Sequence, residues 1–350
     1  MRLHAQLLDW HPLSTPVEVV RWLGALQAQD YLSSLWAIGL RLPETTEADI
    51  ERAIADREIV RTWPMRGTIH YVAAEDARWM LELLAPRVVA RSAGLYKQFE
   101  MDETVFARCR VLLTNALQGG WQLVRKEAYR VLEEGGVATG GSRGLHLLGR
   151  LALEGLICFG PRERKQPTFT LLAEWVPRPR VLDRHDALAV LTQRFFTSHG
   201  PATLQDFAWW SGLAVADAKA GLERVATPLV REVVDGRTYW FAPSPSAADT
   251  ASQVAHLLPS FDEYFVAYKD RSAVLPPSCA HLASSDKLLG PTLVVDGCLV
   301  GTWKRTRKKD GVEIVLEPYT PLSKLESRAV GAAAERYREF VAVPETLSES

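Results

Sequence analysis

Two consecutive stretches of the chain share one pattern: helix-period segments, then two short β-period segments joined by a turn. In the first, residues 123–134 and 145–155 carry helical spacing, and 156–159 and 168–172 read as strands. In the second, a helix at 186–198 leads to helices at 204–212 and 215–225, then to strands at 229–234 and 238–241 around Asp235-Gly236. The copies do not match residue by residue, so the repeat lies in pattern and not in identity. An N-terminal stretch gives a third candidate. There a helix at 46–57 precedes 59–72, where the period drops to two and Pro64 and Gly67 mark bends. Helix, helix and hairpin is the outline of a winged helix, which makes the expected class α+β and mainly helical.

The rest of the chain frames these units. Residues 74–99 and 102–118 read as long helices, and 243–251 is small, polar and proline-bearing, as a linker would be. Beyond it the character turns β. Segments 293–295 and 299–302 flank Asp296-Gly297, a strong hairpin signal, and 312–316 follows Asp310-Gly311. A small sheet or barrel is expected there, closed by a helix at 323–341.

Composition narrows the function classes. Across 350 residues Lys plus Arg is 41 and Asp plus Glu 42, so total charge neither demands nor excludes a polyanionic partner, and the placement of the cations decides. Two places stand out. Residues 304–309, Lys-Arg-Thr-Arg-Lys-Lys, hold five cations in six positions at an expected hairpin tip. Arg162, Arg164 and Lys165 sit in a loop where a wing tip would be. A charge run is usually a solvated tip. Tandem winged helices with basic tips nonetheless favour duplex nucleic acid. Five phosphate contacts at 304–309 would make binding steeply salt-dependent.

Other chemistries find no support. Cys109, Cys158, Cys279 and Cys298 form no CxxC and no disulfide framework, which fits a reducing cytosol. No HExxH and no Gly-x-Ser-x-Gly occurs, and the glycine-rich 135–144 lacks Gly-Lys-Ser/Thr. No metal or cofactor is expected. Polar residues interrupt the N-terminus, and 145–159 contains Arg150 and Glu154, so neither a signal peptide nor a membrane span is expected. The expectation is a soluble cytoplasmic protein.

Residues 15–30 carry the candidate chemistry. Thr15, Pro16 and Glu18 form a helix-start signature, and Val19, Leu23 and Leu26 mark an apolar face. The run ends in Gln27 and Gln29 with Ala28 between them. On a continuing helix residues two apart diverge by about 200°. The two amides can share a task only if the backbone leaves the helix near Ala28. From spacing alone, two solvated glutamines at a helix end is the favoured reading. Arg66, Thr68 and His70 would share one strand face, where Arg66 and His70 are either phosphate ligands or a core hydrogen-bond pair. Asp262 and Glu263 are either catalytic carboxylates or, the favoured reading, a brace for Arg271 and a domain junction.

Four motifs then combine: Leu26-Gln27-Ala28-Gln29-Asp30; Arg61-Thr62-Trp63-Pro64-Met65-Arg66-Gly67-Thr68-Ile69-His70; Ser198-His199-Gly200-Pro201-Ala202-Thr203 with Asp206-Phe207-Ala208-Trp209-Trp210; and Leu258-Pro259-Ser260-Phe261-Asp262-Glu263-Tyr264. Together they resemble the AlkZ-like family of bacterial winged-helix DNA glycosylases, over residue 2 to about 341. The resemblance implies three tandem winged helix-turn-helix domains (1–100, 101–180 and 181–245) and a C-terminal β-barrel with a closing helix (252–345), arranged as a clamp on duplex DNA. It also implies a catalytic Gln-x-Gln, here Gln27 and Gln29.

The implied activity is a monofunctional glycosylase for N7-alkylated purines in duplex DNA, extending to interstrand crosslinks. Gln27 and Gln29 would place the water, and Arg66, Arg162, Arg164, Lys165, Lys304, Arg305, Arg307, Lys308 and Lys309 would hold DNA. The partner is alkylated double-stranded DNA and the expected state a monomer. The alternatives are a non-catalytic winged-helix DNA-binding protein or regulator, and a protein-interaction scaffold.

Overall fold

The computed structural model describes residues 1–225, 228–243, 253–283, 285–308 and 311–342. The chain forms two compact units, one of residues 1–52, 194–210 and 227–350, the other of 53–193 and 211–226. Neither is a run of consecutive sequence.

In the first unit, the helix Pro16–Leu23 begins as the residues dictate. Thr15 caps it, and Glu18 returns a carboxylate oxygen to the Thr15 N–H at 2.9 Å. The helix stops at Gly24, whose φ of 79° suits a residue without Cβ. Leu26–Gln27 is extended, and Asp30 caps the next helix, Tyr31–Gly39, by accepting the Ser33 N–H at 2.9 Å. Helix Glu47–Ala55 follows.

The C-terminal part of this unit is an open four-stranded antiparallel sheet, ordered Gly311–Pro318, Cys298–Lys308, Thr292–Val295, Ala255–Leu258. The expected barrel does not close. The outer strands Gly311–Pro318 and Ala255–Leu258 are edges instead of partners. Helix Lys324–Val341, started by a Ser323 capping box, lies on the sheet. Trp36 and Trp303 fasten the layers. Their indole N–H groups donate to the Leu257 and Leu258 carbonyls at 2.7 and 2.8 Å, and both rings stand edge-on to Tyr337, centroids 5.1 Å away. The Asp296-Gly297 turn is the expected one, with φ of 47° and 80°. The hairpin Val230–Val234 with Arg237–Phe241 turns likewise through Asp235 and Gly236, φ 51° and 74°.

In the second unit, strands Thr68–Ala73, Ile59–Met65, Ile157–Phe159, Thr168–Leu171 and Leu123–Val124 lie side by side in one sheet. The two hairpins expected in separate domains thus share a sheet, joined where Arg61 pairs with Phe159. Helices Ala77–Arg91 and Arg143–Leu153 cover it. The segment expected as one helix at 74–99 is a 3₁₀ turn and two helices, interrupted at Ser92. Helices Arg184–Ser198, Leu204–Ser211 and Val215–Glu223 follow the expected order. Among the described residues no helix is long and apolar enough to cross a membrane.

Candidate active site

The helix ends earlier than the expected exit near Ala28. The backbone leaves it at Gly24 and stays non-helical until Tyr31, so neither Gln27, at the end of extended Leu26–Gln27, nor Gln29 lies on a helix. Gln27 is 8% exposed, Ala28 is buried, and Gln29 and Asp30 are exposed. One amide is therefore held by the fold and the other is presented to solvent.

The linker rests on a buried polar network. Glu263, fully buried, accepts the Gln27 backbone N–H on Oε1 at 3.1 Å and the Trp210 indole N–H on Oε2 at 2.9 Å. The same Oε2 lies 3.4 Å from Nε2 of buried His199. The His199 ring stacks on Phe195 at 4.9 Å. Ser198 gives its hydroxyl hydrogen to the Arg194 carbonyl, so His199 Nδ1 is the donor in their 2.8 Å contact. One residue before Glu263, Asp262 takes two hydrogen bonds from Arg41, both 2.8 Å. The Arg41 Nε also donates to the Gln6 carbonyl at 2.9 Å. Gln6 bonds the Tyr268 hydroxyl, which donates to the His199 carbonyl at 2.7 Å. Burial raises the Tyr268 pKa to about 12, which keeps that donor protonated at neutral pH.

This corrects one expectation. Asp262 and Glu263 do not brace Arg271, whose Nε donates to the Phe265 carbonyl. They hold Arg41 and the base of the glutamine linker. Neither partner was legible, because Arg41 and Gln27 are 221 and 236 residues distant.

The cationic strand reaches the same linker from the side. Arg305, 18% exposed, has its guanidinium 3.3 Å from Ser33 Oγ and 3.9 Å from Asp30 Oδ1, and it bonds the Tyr337 hydroxyl. Arg307 pairs with Glu47. The lysines take the other face: Lys304 pairs with Glu317 at 2.6 Å and Lys308 with Glu313 at 3.1 Å. Both acids lie diagonally across the ladder, since Lys304 is opposite Val315 and Lys308 opposite Gly311. Among the described residues the cations of 304–308 therefore do not share one face. The pleat splits them into an arginine face and a lysine face, each neutralised by acids. Lys309 lies outside the described residues.

In the second unit, Arg66 and Gly67 form the hairpin turn, φ 56° and 76°. His70 Nδ1 lies 2.9 Å from the Thr68 carbonyl, which can only accept. Nε2 is thus the acceptor for the Arg66 guanidinium at 3.3 Å. The hydrogen-bond pair is real, and Arg66 stays half-buried. Arg162, Arg164 and Lys165 occupy a tight turn bridged by Glu163 and Gln166. Arg162 folds back on the Lys165 carbonyl, while Arg164 and Lys165 are exposed.

The family profile described as "DNA glycosylase AlkZ-like" matches residues 20–340. A curated relative from Streptomyces sahachiroi, named "Interstrand DNA cross-link repair glycosylase", is 25% identical over 351 residues, covering 94% of this chain and 91% of its own. The solved structure of the Streptomyces sahachiroi DNA glycosylase AlkZ superposes with a TM-score of 0.79 at 24% identity, covering 97% of this chain and 94% of its own.

Proposed function

The chain belongs to the AlkZ-like DNA glycosylase family, and from that premise we propose that it hydrolyses the N-glycosidic bond of N7-alkylated purines in duplex DNA, interstrand crosslinks included. The crosslink assignment follows the name of the Streptomyces sahachiroi relative. The observation that supports the chemistry is the linker: Gln27 ends a short extended segment, Gln29 follows on non-helical backbone, and the linker is anchored at Gln27 N–H and flanked by Arg305 at Asp30.

Alkylation at N7 gives the purine a positive charge. When the C1′–N9 bond breaks, its electron pair neutralises the base, so the leaving group needs no protonation. Water adds to C1′ and loses a proton, which yields an abasic site and a neutral modified base. The protein has to orient that water and tolerate positive charge on the sugar. Amide oxygens do both without a pKa of their own to tune. Gln27, fixed by burial, supplies a preset acceptor, and exposed Gln29 completes the water's hydrogen bonds from the solvent side. Arg305 and Arg307 contact phosphate beside the lesion, and Arg66, Arg162, Arg164 and Lys165 also hold the duplex. Three winged helices along the chain account for the recurring helix, helix and hairpin.

Release of free base from a duplex carrying N7-methylguanine tests this. Gln27→Ala and Gln29→Ala should each abolish release, lowering the single-turnover rate by roughly 100-fold or more, with little change in melting temperature. A large stability loss would make the pair structural. The deep burial of Gln27 favours one second reading, a DNA-binding protein without catalysis. It predicts duplex binding and no released base.

A further inference from the structure

Full burial of a carboxylate is costly unless its hydrogen bonds are well made, and such groups concentrate where geometry must be fixed. Glu263 is one. It is the first residue of the four-residue helix Glu263–Val266, with no solvent exposure. Its two oxygens divide their work. Oε1 takes the N–H of Gln27, and Oε2 takes the indole N–H of Trp210 beside His199.

Each neighbour is itself immobilised. Trp210 is fully buried with Phe195 at 5.1 Å. The His199 carbonyl is tied through Tyr268 to Gln6 and Arg41. Arg41 returns to Asp262, the cap of the Glu263 helix. The network meets the linker at the backbone N–H of Gln27, a proposed catalytic residue.

We propose that Glu263 is a positioning residue for the glycosylase step, its carboxylate fixing the Gln27 peptide and through it the glutamine pair, without touching DNA. This rests on the catalytic reading of Gln27 and Gln29. The role belongs to the chemistry and not to substrate capture, because the residue is sealed from solvent. Its loss should fall on the rate of bond cleavage and spare affinity for the duplex.

Four proteins test this: wild type, Glu263→Leu, Trp210→Phe, and the double variant Glu263→Gln with Trp210→Phe. The double variant is needed because a glutamine amide cannot accept on both atoms. Its carbonyl can take the Gln27 N–H, while its NH₂ would oppose the Trp210 N–H unless that donor is removed. Each protein is assayed for single-turnover release of N7-methylguanine, for affinity towards undamaged duplex, and for hydrogen exchange at the Gln27 amide.

Glu263→Leu should slow release by roughly 10- to 100-fold, the scale of small misplacements of a reacting group, with duplex affinity unchanged and Gln27 exchange accelerated. The double variant should return to within about threefold of Trp210→Phe, with exchange slowed again. The proposal is overturned if Glu263→Leu releases base at the wild-type rate, or if its rate and affinity fall together. It is also overturned if the folded double variant is as slow as Glu263→Leu. If wild type releases no base, the catalytic reading fails on its own. The exchange measurement then still decides the anchor, and unchanged protection of Gln27 in Glu263→Leu refutes it.

Discussion

The division of the cationic strand into two faces can be measured. Alternation along Cys298–Lys308 puts Arg305 and Arg307 on one side and Lys304 and Lys308 on the other. The arginine side adjoins the glutamine linker, through the contacts of Arg305 with Asp30 and Ser33. A duplex bound at the linker should thus meet the arginines and leave the lysines with Glu317 and Glu313. Each phosphate contact on B-DNA adds about 0.9 to the slope of log K against log salt. Replacing Arg305 and Arg307 by Gln should flatten that slope by about 1.8. Over a rise from 50 to 200 mM salt, this spares roughly tenfold of the affinity loss. Replacing Lys304 and Lys308 by Gln should move the slope by less than about 0.5. Fluorescence anisotropy of a labelled duplex across a potassium chloride series reads both, with thermal melts to confirm folding. If the lysine pair carries the slope, or both pairs carry it equally, the assignment of faces is wrong.

Two stability predictions accompany it. Asp262→Ala strands the fully buried Arg41 guanidinium without its carboxylate. Breaking such a pair costs about 3–5 kcal/mol, and a body of 150–250 residues shifts by roughly 2–4 °C per kcal/mol, so calorimetry should show a drop of about 6–20 °C. An unchanged transition would mean that Arg41 finds water on its own. The second concerns His256, fully buried on strand Ala255–Leu258, with no hydrogen bond to either ring nitrogen. Burial first, then the charges of Arg336, Arg41 and His11, push its pKa from 6.5 down to about 3. The unfolded chain takes this proton near 6.5 and the folded one only near 3, so the unfolded state binds more protons in between. Its contribution is complete above the unfolded value and falls with acidification, by up to about 1.4 kcal/mol per pH unit. His256→Phe should flatten the urea midpoint between pH 6 and 4. An equally steep profile in the variant would assign the acid sensitivity to other groups.

Several elements were legible because their causes are local. The Thr15–Glu18 capping box, the Ser323 start of the last helix and the Asp-Gly turns at 235–236 and 296–297 each depend on residues within four positions. The glutamine pair is legible as a motif, whereas the point at which the backbone leaves the helix, expected near Ala28, falls four residues earlier. Gly24 set where that exit falls.

What the sequence left open involved partners far along the chain. Whether 255–318 closes as a barrel depends on its outer strands meeting, and they do not. Residues 304–309 read in sequence as one cationic tip, and the ladder register with the positions of Asp30, Glu47, Glu313 and Glu317 shows what each face of 304–308 meets. The carboxylate of Glu263 reads in sequence as a catalytic acid or a brace. Folding places it under an amide 236 residues away. Capping and turn chemistry act within about four residues of backbone, so a short window determines them. Burial and long-range pairing of charge are properties of the assembled interior, and no short window of sequence contains both Arg41 and Asp262 or both Gln27 and Glu263.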